Sequence, residues 1–139
     1  MGIRFEPGVM VLGKAALDGT GGWGLAAGLD LGASKGLAWC GNELSVRARL
    51  FQTGDGRGLA AIAGYRAYAG SQHWKTFADL DLMVPLAPAP AAGARLGMGL
   101  MYDPSRRLGF SLSVGAFAAL GRGLVSGFDG GLGVQVRFD

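Results

Sequence analysis

The sequence predicts an all-β fold, an eight-stranded antiparallel up-and-down transmembrane β-barrel formed by one domain over residues 1–139. Three observations predict it. Side chains alternate, one apolar and one small or charged, along eight segments, which is the period of a strand. These segments run about ten to fifteen residues, whereas strands of soluble domains average about five or six and a tilted membrane-spanning strand needs roughly 9–11. Finally, the face opposite the bulky one is too small to be a water-facing surface. In GGWGLAAGLDLG, residues 21–32, Trp23, Leu25, Ala27, Leu29 and Leu31 alternate with Gly24, Ala26, Gly28, Asp30 and Gly32.

The elements follow in order. Segment 3–17 sets Ile3, Phe5, Val9, Val11, Ala15 and Leu17 against Arg4, Glu6, Met10 and Lys14. Segment 22–33 is the stretch just described. Segment 43–52 sets Leu44, Val46, Ala48 and Leu50 against Glu43, Ser45, Arg47 and Arg49. Segment 59–69 opposes Leu59, Ala61, Ala63, Tyr65 and Ala67 to Ala60, Gly64, Arg66 and Tyr68. In 74–86, Trp74, Ala78, Leu80, Leu82, Val84 and Leu86 oppose Asp79, Asp81 and Met83. In 94–103, Leu96, Met98, Leu100 and Tyr102 oppose Arg95, Gly97, Gly99 and Asp103. Segment 108–120 sets Leu108, Phe110, Leu112, Val114 and Ala116 against Gly109, Ser111, Ser113 and Gly115. Segment 128–138 sets Phe128, Leu132, Val134, Val136 and Phe138 against Gly131, Gly133, Gln135 and Arg137. Turn signals such as TGDGRG, APAPAAG and DPSRR separate them. The stretch 34–42, SKGLAWCGN, reads either as a continued strand or as a short loop. An even strand count lets the two ends meet and removes the sheet edge.

Size decides which face is inside. The interior of an eight-stranded barrel is narrow, so glycine, alanine and serine are expected within it and bulky aliphatics outside, against lipid. Aromatics agree with this orientation. With the termini taken as the periplasmic end, outward Phe5, Trp74, Tyr102, Phe110 and Phe138 fall near the lower rim, with Tyr65 above them. Trp23 and Phe128 fall near the upper rim, so the aromatics form the two girdles expected at membrane interfaces.

Composition excludes several classes. The chain is 50% hydrophobic and 17% charged, with 27 glycines but no collagen period. A net charge of +3 without a lysine- and arginine-rich run gives no nucleic-acid footprint. The one cysteine, Cys40, forbids an internal disulfide framework. In LAWC, Trp39 stands where a lipidation site needs a small residue, so Cys40 reads as a turn or rim residue. The opening MGIRFEPGVM carries arginine, glutamate and proline where a secretory signal has its apolar core. No apolar run of about 20 residues marks a membrane helix. One histidine, one cysteine and the Asp79/Asp81 pair do not make a metal set, and no cofactor is expected.

The chain resembles a small outer-membrane β-barrel of the eight-stranded class typified by the OmpA membrane domain and OmpX. The architecture carries that resemblance along the whole chain. A more specific element is GVQVRF, residues 133–138, where Gly133, Val136 and Phe138 resemble the C-terminal signal read by the outer-membrane assembly machinery. Asp139 departs from the pattern, which ends on the aromatic. The resemblance implies a bacterial outer-membrane location, with the lipid bilayer and the assembly machinery as partners.

The lumen is expected to hold Arg4, Glu6, Lys14, Asp30, Glu43, Arg47, Arg49, Arg66, Asp79, Asp81, Arg95 and Arg137. Charges in so narrow a space must pair or stay hydrated. A turn near 70–74 sets Arg66 opposite or diagonal to Asp79, and Arg47 or Arg49 should reach Glu43, Asp30 or Tyr68. Three functions follow. In the first, the charges fill the lumen of a non-enzymatic anchor or scaffold subunit. In the second, they line a narrow pore whose slight arginine excess favours anions. The third is an outer-membrane lipid-modifying enzyme, as some barrels of this class are. That reading has only His73, with Ser71 nearby in GSQHWK and on the periplasmic side. Short upper loops offer little receptor surface. Outward Ala27, Ala48, Ala61, Ala63, Ala67, Ala116 and Ala118 form a smooth flank for lipid or for an envelope protein partner.

Overall fold

The computed structural model describes residues 1–16, 21–37, 41–54, 56–71 and 73–138, with backbone only at 12–16 and 21. The eight strands are β1 (Gly2–Ala16), β2 (Gly21–Gly36), β3 (Glu43–Thr53), β4 (Gly56–Gly70), β5 (Trp74–Ala87), β6 (Ala92–Tyr102), β7 (Leu108–Leu120) and β8 (Gly123–Arg137). Each pairs antiparallel with its neighbour in sequence, and β1 pairs with β8 to close the barrel. The seam is finished by the termini: Phe138 N donates to Met1 O at 2.7 Å and the Met1 amino group to Phe138 O at 3.0 Å. No paired edge is left open, which in a membrane is the condition for a sheet to span.

The strands reach further than the alternation predicts. β2 continues through 34–36, so the ambiguous 34–42 stretch divides into strand and a connection over 37–42. Within that connection Gly41 takes φ +69, a conformation glycine adopts without strain. β4 begins at Gly56 rather than 59, and β8 at Gly123 rather than 128. Both extensions are glycine-rich. A ladder needs only backbone N–H and C=O groups, so a partner strand extends such residues although their side chains carry no β preference. Cys40, Leu17 and Asp139 lie outside the described residues.

Alternation is realised on both faces. Ile3, Val9, Leu25, Val46, Leu82, Leu96, Val114 and Leu132 are exposed on the outer wall, while the charged partners face inward. That arrangement is the reverse of a soluble barrel and suits a hydrocarbon solvent. Trp74 and Tyr102 are paired across β5 and β6, their rings 4.7 Å apart and tilted by 35°. Phe5, Phe110 and Phe138 are exposed toward the same end, which holds the termini. Trp23 and Phe128 are exposed toward the opposite, hairpin end. Tyr65 is half-buried, and Asn42 donates to its hydroxyl.

Two glycines answer to close approach of the backbone. A Cβ at Gly8 would collide with the carbonyl oxygen of Gly130, and one at Gly127 with that of Val11, so the β1–β8 seam tolerates only hydrogen there. Gly24 has open space in the same position. Gly127→Ala is therefore expected to lower stability by about 1–3 kcal/mol. Gly24→Ala should stay within about 0.5 kcal/mol of the parent. Urea titration of bilayer-reconstituted protein, followed by tryptophan fluorescence, checks the contrast.

Candidate functional site in the barrel lumen

The inward positions converge on a charged core. Register sets Asp30 opposite Arg49, Arg66 opposite Asp79 and Asp81 opposite Arg95. Arg49 and Arg95 each then reach a second acid across the lumen. Arg49 donates through Nε and Nη2 to Asp30 at 2.7 and 2.8 Å, and through Nη1 to Asp129 at 2.6 Å. Arg95 donates through Nη2 to Asp129 at 2.6 Å and through Nη1 to Asp81 at 3.1 Å. Arg47 lies 2.5 Å from Asp81 and 3.5 Å from Asp30, ion-pair contacts without the alignment of hydrogen bonds. These contacts close a six-membered ring in which Asp129, Arg49, Asp30, Arg47, Asp81 and Arg95 alternate in sign.

Glycine makes room for this ring. A Cβ at Gly97 would stand 2.5 Å from Arg95 Nη1, and one at Gly115 2.6 Å from its Nη2. A Cβ at Gly32 would meet Arg47 Cγ at 2.5 Å, and one at Gly64 would collide with Asp81. Much of the glycine on the inner face is thus the space that guanidinium and carboxylate groups occupy.

Toward the termini the pairing continues in layers. Arg66 holds Asp79 in a two-pronged bond, Nε at 2.6 Å and Nη2 at 2.7 Å, and lies 3.6 Å over the Phe77 ring. Such fork geometry is the strongest form of this pair. Ser113 donates to Glu6, whose second oxygen has no hydrogen-bond partner. Glu43 accepts from Arg4 at 3.1 Å, from Tyr68 at 2.9 Å and from Gln135 at 3.1 and 3.2 Å. Arg4 keeps Nε and Nη1 without an acceptor, as Arg47 in the ring keeps Nε and Nη2 without a hydrogen bond. At the mouth, Asp103 accepts from Lys75 at 2.8 Å and Arg137 at 2.9 Å.

Several of these residues escaped the alternation reading. Asp129 falls within the 128–138 segment but is absent from the expected lumen set, although its place beside outward Phe128 marks it as inward. Lys75 beside Trp74 carried the same signal. Ile62, Phe77 and Phe117 are bulky yet buried inside, against the expectation of a lumen filled by small residues. The arginine excess also disappears. Arg4, Arg47, Arg49, Arg66, Arg95, Lys75 and Arg137 face Glu6, Asp30, Glu43, Asp79, Asp81, Asp103 and Asp129, seven of each sign among the described residues. The Lys14 side chain lies outside the described residues.

Gly133 faces inward, where a Cβ would collide with Ser111 Oγ, while Val136 and Phe138 face outward. His73 is exposed in the turn after β4, and its carbonyl accepts from Asp103 N at 2.8 Å. The Ser71 hydroxyl donates to Trp74 O at 3.1 Å and accepts from Trp74 N at 3.3 Å, which ties it to the turn.

Asp129→Ala removes the acid shared by Arg49 and Arg95 and is expected to cost about 3–5 kcal/mol. Asp103→Ala, whose partners are partly solvated, should cost about 1 kcal/mol. Urea midpoints in bilayers measure both, and equal losses would count against the ring as the tighter element.

Comparison with known proteins adds the fold. The crystal structure of Neisserial surface protein A superposes with a TM-score of 0.59 and 11% identity, over 98% of this chain and 97% of that one. A structure from the de novo design of transmembrane β-barrels superposes with a TM-score of 0.48 and 14% identity, over 94% and 95%. No family model matches the chain, and no curated protein matches it. At 11% identity the first likeness is one of architecture: an all-β, closed eight-stranded barrel with the fold of outer-membrane β-barrels.

Proposed function

We propose that this chain is a non-enzymatic barrel of the bacterial outer membrane, a membrane anchor or scaffold subunit whose lumen is closed by its own side chains. The ring of three arginines and three aspartates carries the reading. It crosses the lumen, each of its members contacts two of opposite sign, and ions would have to break those pairs to pass. The balance of charge among the described lumen residues supports this over the anion-selective pore, which rested on an arginine excess. Ser71 serves the turn rather than His73, which supports it over a lipid-modifying enzyme.

The apolar outer wall supports the lipid bilayer as the principal partner, with the aromatic rims as its interface anchors. Gly133 and Val136 on β8, with Phe138 just beyond it, are proposed as the element read by the assembly machinery. Connections at the hairpin end are short where described, over 54, 88–91 and 121–122, which supports a role other than receptor binding. Ala61 and Ala63, exposed side by side along β4, offer a flank on which an envelope protein partner can pack.

Planar-bilayer recording tests the reading. Wild-type protein is expected to give no resolved conductance steps. The double variant Arg49→Ala/Arg95→Ala leaves uncompensated carboxylates and should give a cation-selective leak. Anion-selective steps from the wild type would establish the pore instead.

A further inference from the structure

Beyond the ring, toward the hairpin end, the lumen turns apolar. Met10, Ala60, Ile62, Met83, Phe117 and Ala119 belong to one buried cluster. Over it opens a cavity of about 230 Å³, with Met10 and Arg49 in its lining and Arg57, Pro88 and Ala89 at its outer end. This is unusual for the inside of a membrane barrel, where the lumen is ordinarily polar.

The floor offers water little. All three nitrogens of Arg49 are already donated to Asp30 and Asp129. Apart from Gly56 and Thr53, whose hydroxyl donates to Gly56 O at 3.1 Å, the walls are alanine, methionine, phenylalanine, valine and proline, and Pro85 and Pro88 have no backbone N–H to give. An apolar recess that opens to water gains by taking an apolar ligand. Size limits the ligand: a cavity of about 150 Å³ accepts benzene, so this one holds a chain of about eight carbons. Charge limits it further. Arg57 stands on the rim beside exposed Gln52, to which its Nε donates at 3.2 Å, and its two remaining guanidinium nitrogens are free to turn over the mouth.

We propose that this cup binds the tail of a short-chain anionic amphiphile, with its carboxylate head against Arg57. A free acid of this length fits the recess, whereas a bilayer phospholipid chain outruns it. The inference needs only the barrel and does not depend on the anchoring role.

Methionine methyl groups make the test direct. Met10 and Met83 line the cup, Met98 is exposed on the outer wall, and Met101 is buried in the lower lumen. Protein labelled with ¹³C at its methionine methyls, in lipid nanodiscs free of detergent, is titrated with octanoate. Saturable shifts are expected at Met10 and Met83 while Met98 and Met101 stay still. Octyltrimethylammonium, or octanoate on Arg57→Gln, should bind at least roughly threefold more weakly. Ala119→Phe should abolish the shifts. The wild-type titration decides without any variant. No saturable shift, a shift of Met98 in step with Met10, or equal binding of the cationic ligand would each overturn the proposal.

Discussion

Closing eight strands into a barrel leaves an interior too narrow for bulk water and too wide to leave empty, and the alternating ring of three arginines and three aspartates resolves that constraint. A charge there cannot be hydrated as it would be at a surface, and alone it would be prohibitive. Each guanidinium is a planar fork able to serve two carboxylates at once, and each carboxylate has oxygens for two forks. Asp129 joins Arg49 to Arg95, Asp30 joins Arg49 to Arg47, and Asp81 joins Arg47 to Arg95. The ring thereby ties β2, β3, β5, β6 and β8 together across the lumen, in addition to the backbone ladders around the wall.

The wall and the lumen share this work unequally along the axis. Charged layers fill the portion from the ring to the termini, down to Lys75, Asp103 and Arg137. The other end is apolar inside as well as outside, around Met10, Met83 and Phe117. Glycine serves both needs. On the inner face it gives place to the arginines at 97 and 115, and at the β1–β8 seam it lets backbones meet at 8 and 127. The high glycine content is therefore a packing requirement of a thin barrel with long cationic side chains inside it.

Much of this was legible in the residues. Period-two alternation locates all eight strands, and strand length with the size asymmetry assigns the inside. The Arg66–Asp79 pair followed from a short turn, since neighbouring strands in a hairpin are in fixed register. Pairs across the lumen were not legible. Whether Arg49 meets Asp129 depends on strand tilt and stagger, which no local pattern encodes. Asp129 lies in the segment read as a strand, but among Gly127, Gly130 and Gly131 few bulky neighbours mark which face it takes. Ile62, Phe77 and Phe117 were lost for another reason. A rule that puts only small residues inside describes the glycine around Arg95, but not the apolar end that holds Ile62 and Phe117, nor the place of Phe77 beneath the Arg66 guanidinium.

The central claim is that the guanidinium groups of the ring are shut away from water and held by carboxylates. Arginine side-chain ¹H–¹⁵Nε spectra of the protein in bilayers test it most directly, because the Nε of Arg49, Arg66 and Arg95 each donates to an aspartate. The account predicts slowly exchanging Nε–H signals for Arg49, Arg66 and Arg95, with Arg57 at the surface exchanging fast. Rapid solvent exchange at Arg49 and Arg95 would show a wet, open lumen and contradict it.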